Sequence, residues 1–181
     1  MAPNWFIGFP MQVEGFRTPP APPRVRVFAA SDLHVTLGFL GTVQEAEARK
    51  AWELIDTFAS FRPVSGSFAG VVPLGNPRKP SALSAMIEQG RDAFSEMITE
   101  ARGPLLAAAG APEDTRPPLP HMTLARVQRR ARGAERRQAL RWAQGIDTAG
   151  ASFHAVSVAL FTWSEDRQAR LFDIVACHEL G

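Results

Sequence analysis

The chain contains four histidines, and two of them open the same tetrapeptide, His34-Val35-Thr36-Leu37 and His121-Met122-Thr123-Leu124. Thr fills 9 of the 181 positions, so a Thr two places after a given His arises by chance about once in twenty. Finding it twice, each time followed by Leu, marks His34, Thr36, His121 and Thr123 as one constellation. An imidazole titrates near neutrality and can act as base or acid there. A Thr hydroxyl can donate to a phosphoryl oxygen. Two histidines are too few for a catalytic zinc, which takes three protein ligands. No Ser or Cys nucleophile sits beside a base, and no carboxylates cluster, so the expectation is no metal and no cofactor. His154 and His178 lack this context and read as ordinary structural or surface histidines.

In a strand, residues i and i+2 share a face. His34 and Thr36 therefore share one face while Val35 and Leu37 share the other, and the second motif repeats the arrangement. A polar pair backed by apolar residues suits a cleft wall. The motifs lie 87 residues apart, about half the chain, as two duplicated lobes would place them. Facing strands would then bring two imidazoles and two hydroxyls around one small volume.

The surrounding pattern supplies such strands. Residues 4–9 read as a buried strand stopped by Pro10, residues 18–24 as a stiff Pro-rich loop, and 25–28 and 33–40 as further strands. Ala48, Ala51, Trp52, Ile55 and Phe58 fall on one helical stripe, which predicts a helix over 42–58 with Thr42 as its N-cap. Strands are expected at 66–74 and 82–87 around a turn at 75–80. A helix begins near Arg91 and should kink or break at Gly103-Pro104. Residues 111–118 form a Pro-rich loop, 121–127 a strand, 135–143 a short basic helix, and 153–163 with 171–177 a final hairpin. Trp5, Phe6 and Phe9 read as core, and Cys177 as a small buried hydrophobe. The order predicts an α+β fold: two pseudo-symmetric lobes of mostly antiparallel sheet with outer helices and a cleft between them, one bilobal domain over 1–181.

Composition sets the bounds. The hydrophobic share is 45% and the charged share 21%, ordinary for a globular chain. One Cys excludes an internal disulfide, and no run approaches the roughly 20 apolar residues of a membrane helix. The N-terminal stretch lacks the basic region of a signal peptide. The expectation is a soluble cytoplasmic monomer with no membrane partner. Seven arginines (126, 129, 130, 132, 136, 137 and 141) face one acid, Glu135, between positions 126 and 141. This block reads either as a phosphate-facing patch, with Arg129, Arg130 and Arg132 as RNA contacts, or as a solvated face. An ideal strand would point Arg126 away from His121.

The segment Ala29-Ala30-Ser31-Asp32-Leu33-His34-Val35-Thr36-Leu37-Gly38-Phe39-Leu40-Gly41 resembles the first motif of the 2H phosphoesterases. Arg116-Pro117-Pro118-Leu119-Pro120-His121-Met122-Thr123-Leu124-Ala125-Arg126 resembles the second, and Phe6-Ile7-Gly8-Phe9-Pro10 resembles the opening strand. The likeness is greatest to the bacterial RNA 2′,3′-cyclic phosphodiesterases, also called 2′-5′ RNA ligase-like proteins, and spans nearly the whole chain. It implies a metal-independent phosphodiesterase that opens 2′,3′-cyclic phosphates at RNA ends to 2′-phosphates, and joining of RNA ends through 2′-5′ linkages in reverse. It implies His34 as the acid, His121 as the base, and Thr36, Thr123 and Arg126 as phosphate ligands, with Arg126 brought into the cleft by a bulge or strand end. Members of that family usually carry a helix between the first strand and the first motif; the short, Pro-rich residues 11–24 imply its reduction or loss. Two other readings stand beside this one: a 2H enzyme for small cyclic nucleotides, 2′-5′ oligonucleotides or ADP-ribose cyclic phosphate, and a non-catalytic RNA-binding module.

Overall fold

The computed structural model describes residues 3–76 and 79–181. Met1 and Ala2 of the opening stretch, and Pro77 and Arg78 of the expected 75–80 turn, lie outside the described residues. The described residues form β1 (Trp5–Pro10), β2 (Gln12–Glu14), β3 (Val25–Val27), β4 (His34–Gly41), α1 (Glu45–Trp52), β5 (Val64–Leu74), β6 (Ala82–Ile87), α2 (Arg91–Ala108), β7 (His121–Val127), α3 (Gly133–Gln144), β8 (Ser152–Ala155), β9 (Ser157–Trp163) and β10 (Phe172–Glu179). This is the expected α+β class.

The strands join in the order β10-β9-β1-β4-β7-β6-β5-β8-β2, with β3 on β7, and every pairing is antiparallel. At the centre β4 meets β7 through one register pair, Val35 with Met122. Folding the order about that pair matches β4 with β7, β1 with β6, β9 with β5 and β10 with β8. The two His-x-Thr motifs thus straddle a pseudo-twofold axis, each held at the sheet centre by a neighbouring strand.

Helices cover one face. Helix α2 packs on β4 and α1, and α3 packs on β5. Phe94, Met97, Ile98, Ala101, Leu105 and Leu106 form the buried stripe of α2, each large side chain contributing about 1.5–3 kcal/mol on burial. The helix runs unbroken through Pro104, contrary to the break expected there. Gly103 and Pro104 lie on the exposed side while Leu105 and Leu106 stay buried. The carbonyl that Pro104 cannot engage belongs to Glu100, also exposed, where water can satisfy it, and the packed stripe outweighs the local breaker.

Other departures are local. The first helix is shorter than 42–58: it starts after Gln44, ends at Trp52, and is followed by a 3-10 turn at Ile55–Thr57, where the Thr57 hydroxyl donates to the Leu54 carbonyl. The expected strand 153–163 is two strands, because the chain passes from one half of the sheet to the other at Val156. β8 pairs with β5 and β2, whereas β9 pairs with β1 and β10. Within 11–24 there is the short strand β2 and no helix. Cys177 is exposed rather than buried, because β10 is an outer strand of the sheet order. Trp5, Phe6 and Phe9 are buried. No helix among the described residues is long and apolar enough to cross a membrane.

Candidate active site

Both motif strands carry a bulge at the same place. Ile7 pairs with Gly38 and Gly8 with Thr36, leaving Leu37 of β4 unmatched. Leu83 pairs with Ala125 and Ser84 with Thr123, leaving Leu124 of β7 unmatched. An extra residue resets the alternation of faces. The first seven residues of β4 and all seven of β7 accordingly share one burial pattern, with the His and Thr half-buried, the next two residues buried and the one after them exposed. That exposed residue is Phe39 in β4 and Arg126 in β7. The bulge at Leu124 puts Arg126 on the face of His121 and Thr123, close enough to both histidines to disfavour their protonation.

Gly8 and Ser84 occupy equivalent positions opposite the two threonines. A Cβ on Gly8 would lie 2.7 Å from the Val35 carbonyl oxygen and 3.5 Å from the His34 ring, so the β4 bulge needs glycine there. Ser84 is fully buried, and its hydroxyl hydrogen-bonds that of Thr123 at 3.1 Å.

The two imidazoles are tethered alike. His34 Nδ1 lies 2.7 Å from the Asp32 carbonyl and His121 Nδ1 lies 2.6 Å from the Leu119 carbonyl. A carbonyl only accepts, so each Nδ1 carries the proton and donates it, and Nε2 is the nitrogen left for chemistry. The Asp32 carboxylate is buried and accepts from the backbone N–H groups of Leu171 (2.9 and 3.0 Å) and Phe172 (3.1 Å). It thereby fastens the turn before His34 to the start of β10.

The surroundings of the two rings differ. Phe6, Phe161 and Phe172 pack around His34 at ring-centroid distances of 4.6, 5.3 and 5.4 Å. Desolvation by this wall, then repulsion from His121 and Arg126, lowers the His34 pKa to about 4, despite the bond to Asp32. His121 is less buried, and its pKa is lowered by desolvation and by Arg126, against the bond to Leu119.

The remaining arginines divide. Arg126 has its pKa lowered by desolvation and by Arg167, although its side chain still reaches solvent. Arg129, Arg130 and Arg132 are exposed past the end of β7, in the segment leading to α3; none of their described contacts reaches either histidine. Arg136 is a strut, donating to the carbonyls of Ala131, Pro80 and Arg129. His154 bonds Ser65 and His178 pairs with Asp56, both at the surface. Two concavities lie elsewhere, one of about 690 Å³ lined by Arg62, Glu96 and Pro118 among others, and one of about 340 Å³ beside Phe58 and His178. Neither concavity is lined by His34 or His121. Among the described residues no three His, Cys, Asp or Glu side chains converge as metal ligands do.

Sequence reasoning missed Asp32, Ser84, Gly8, Phe161 and Phe172. A polar residue inside the apolar run of β6 was the available signal for Ser84. The others depend on cross-strand register.

No protein-family model matches the chain. It is 30% identical over 133 residues to the RNA 2′,3′-cyclic phosphodiesterase of Bacillus subtilis (strain 168), covering 68% of this chain and 71% of that protein. Its fold is similar to that of a Thermus thermophilus protein, with a TM-score of 0.68, 20% identity and coverage of 98% of this chain and 97% of that one. It is also similar to E. coli LigT crystallised with 3′-AMP, with a TM-score of 0.65, 17% identity and coverage of 98% and 97%.

Proposed function

The chain belongs to the RNA 2′,3′-cyclic phosphodiesterase family of 2H phosphoesterases, and from that premise we propose that it hydrolyses the terminal 2′,3′-cyclic phosphate of RNA to a 2′-phosphate. The observation that carries the reading is the pair of imidazoles beside the Val35–Met122 axis, each with Nδ1 spent on a backbone carbonyl and Nε2 left over. Binding alone does not call for two such groups.

The proposed step is in-line displacement at phosphorus. A water oxygen attacks opposite the 3′ oxygen while His121 Nε2 removes its proton. The bond from phosphorus to O3′ breaks as His34 Nε2 protonates the leaving oxygen, giving a 2′-phosphomonoester and a 3′-hydroxyl. Thr36, Thr123 and Arg126 donate to the non-bridging oxygens, where charge builds. The order follows access: water reaches the less buried His121, whereas His34 lies against the aromatic wall. In the free protein His34 is neutral at pH 7. An anionic phosphate beside it offsets the Arg126 charge and favours its protonated form.

The pathway assigns every proton and charge to the protein, so turnover should persist in excess EDTA. The test is an oligoribonucleotide ending in a 2′,3′-cyclic phosphate, incubated with EDTA and followed by phosphorus NMR. A 2′-phosphate end is expected. A 3′-phosphate end would reverse the bound orientation. Turnover of nucleoside cyclic phosphates without turnover of the oligonucleotide would replace RNA by a small-molecule substrate.

A further inference from the structure

Three arginines, Arg26, Arg126 and Arg167, gather beyond the histidines on the β3–β7 side of the sheet. Arg26 on β3 stands directly opposite Arg126 on β7, and directly opposed residues of paired strands project to the same face. The Arg26 Nη2 donates to the Arg167 carbonyl, which draws the 164–170 loop between β9 and β10 toward the pair. Arg167 lies close enough to repel Arg126, and its guanidinium stacks on the Trp163 ring at 4.3 Å, which holds it in place.

None of the three arginines forms an ion pair among the described residues. Three carboxylates near the loop are committed elsewhere: Asp166 accepts from the Gln168 and Ala169 N–H groups, Asp173 pairs with Arg170, and Asp32 holds Leu171 and Phe172, while the exposed Glu165 pairs with none of the three arginines. Gathering like charges without a counter-ion costs stability unless an anion is the intended guest. The cyclic phosphate needs only Arg126, so Arg26 and Arg167 exceed what the reacting group requires. The position equivalent to Arg126 in the other half holds Phe39, not an arginine, so the two halves differ in charge there.

Resting on the function proposed above, we infer that Arg167, pinned by Arg26 and Trp163, binds a second phosphate: the phosphodiester on the 5′ side of the terminal nucleotide. The enzyme would then select RNA over a mononucleotide through the loop between β9 and β10, not through Arg129, Arg130 and Arg132.

Equilibrium binding of product-like ligands tests this without turnover. Adenosine 2′,5′-bisphosphate, and a diadenylate ending in a 2′-phosphate, should each bind about tenfold tighter than adenosine 2′-monophosphate, the scale of a charge-assisted contact. Arg167→Ala should erase that preference and leave the monophosphate affinity unchanged, and Arg167→Lys should keep part of it. Equal affinities in the wild-type protein would overturn the inference, as would an equal loss for all three ligands in Arg167→Ala. Tighter binding of the bisphosphate alone would overturn the phosphodiester in favour of a terminal 5′-phosphate. A preference that persists in a protein with no cyclic phosphodiesterase activity would keep this site and contradict the hydrolysis.

Discussion

At the residue scale, one motif yields two unlike histidines. Both lose Nδ1 to a carbonyl two residues upstream, but only His34 is walled by three phenylalanines. NMR titration of the free protein should therefore find His34 with a pKa of about 4. Inorganic phosphate should raise that value, since an anion in the cleft offsets the Arg126 charge. A His34 titration unmoved by saturating phosphate would contradict its assignment as the acid. The buried Asp32 gives a second expectation. Asp32→Ala strands the Leu171 and Phe172 amides and should cost about 3 kcal/mol by denaturant unfolding, while Asp32→Asn, which keeps an accepting oxygen, should cost less. Equal losses would mean that the hydrogen bonds are not what Asp32 supplies.

At the element scale, the matched bulges at Leu37 and Leu124 bring Phe39 and Arg126 round to the face of the motif His and Thr. Gly8→Ala places a methyl 2.7 Å from the Val35 carbonyl and should displace the bulge, costing about 1–3 kcal/mol and lowering kcat more than it raises KM. A variant with wild-type kcat would show that the β4 bulge tolerates the methyl without moving His34. The sequence made the strands of the motifs, the duplicated layout and α2 legible, because periodicity and breakers act locally. The partners of β8 and β9 were not legible: Val156 continues the strand pattern without interruption, and only tertiary pairing sends its two sides to different halves. The course of α2 through Pro104 was hidden for a related reason, since a local breaker shows in sequence and the packed face that overrides it does not. Of the candidate site, His34, Thr36, His121 and Thr123 stood out by spacing, whereas Arg26 and Arg167 meet only through the fold.

At the scale of the whole molecule, the cleft couples protonation to stability. His34 titrates at about 4 when folded and near 6.5 when unfolded, so the unfolded chain binds more protons between those values. Stability contributed by neutral His34 is fully present above pH 6.5 and is lost as pH falls toward 4, by about 3 kcal/mol in all; His121 acts in the same direction. Thermal unfolding from pH 7 to pH 4 should show the loss, and His34→Ala should flatten it. An unchanged slope in that variant would place the acid sensitivity elsewhere. The central claim, that the pseudo-twofold sheet exists to oppose one proton-donating and one proton-accepting imidazole, is tested most directly by the pH dependence of kcat/KM on cyclic-phosphate RNA for the wild type, His34→Ala and His121→Ala. The wild type should give a bell centred below pH 6.5, because both pKa values are lowered. Each variant should fall roughly 10²–10⁴-fold and lose one limb of the bell; a wild-type profile without two limbs, or either variant within tenfold of wild type, would contradict the account.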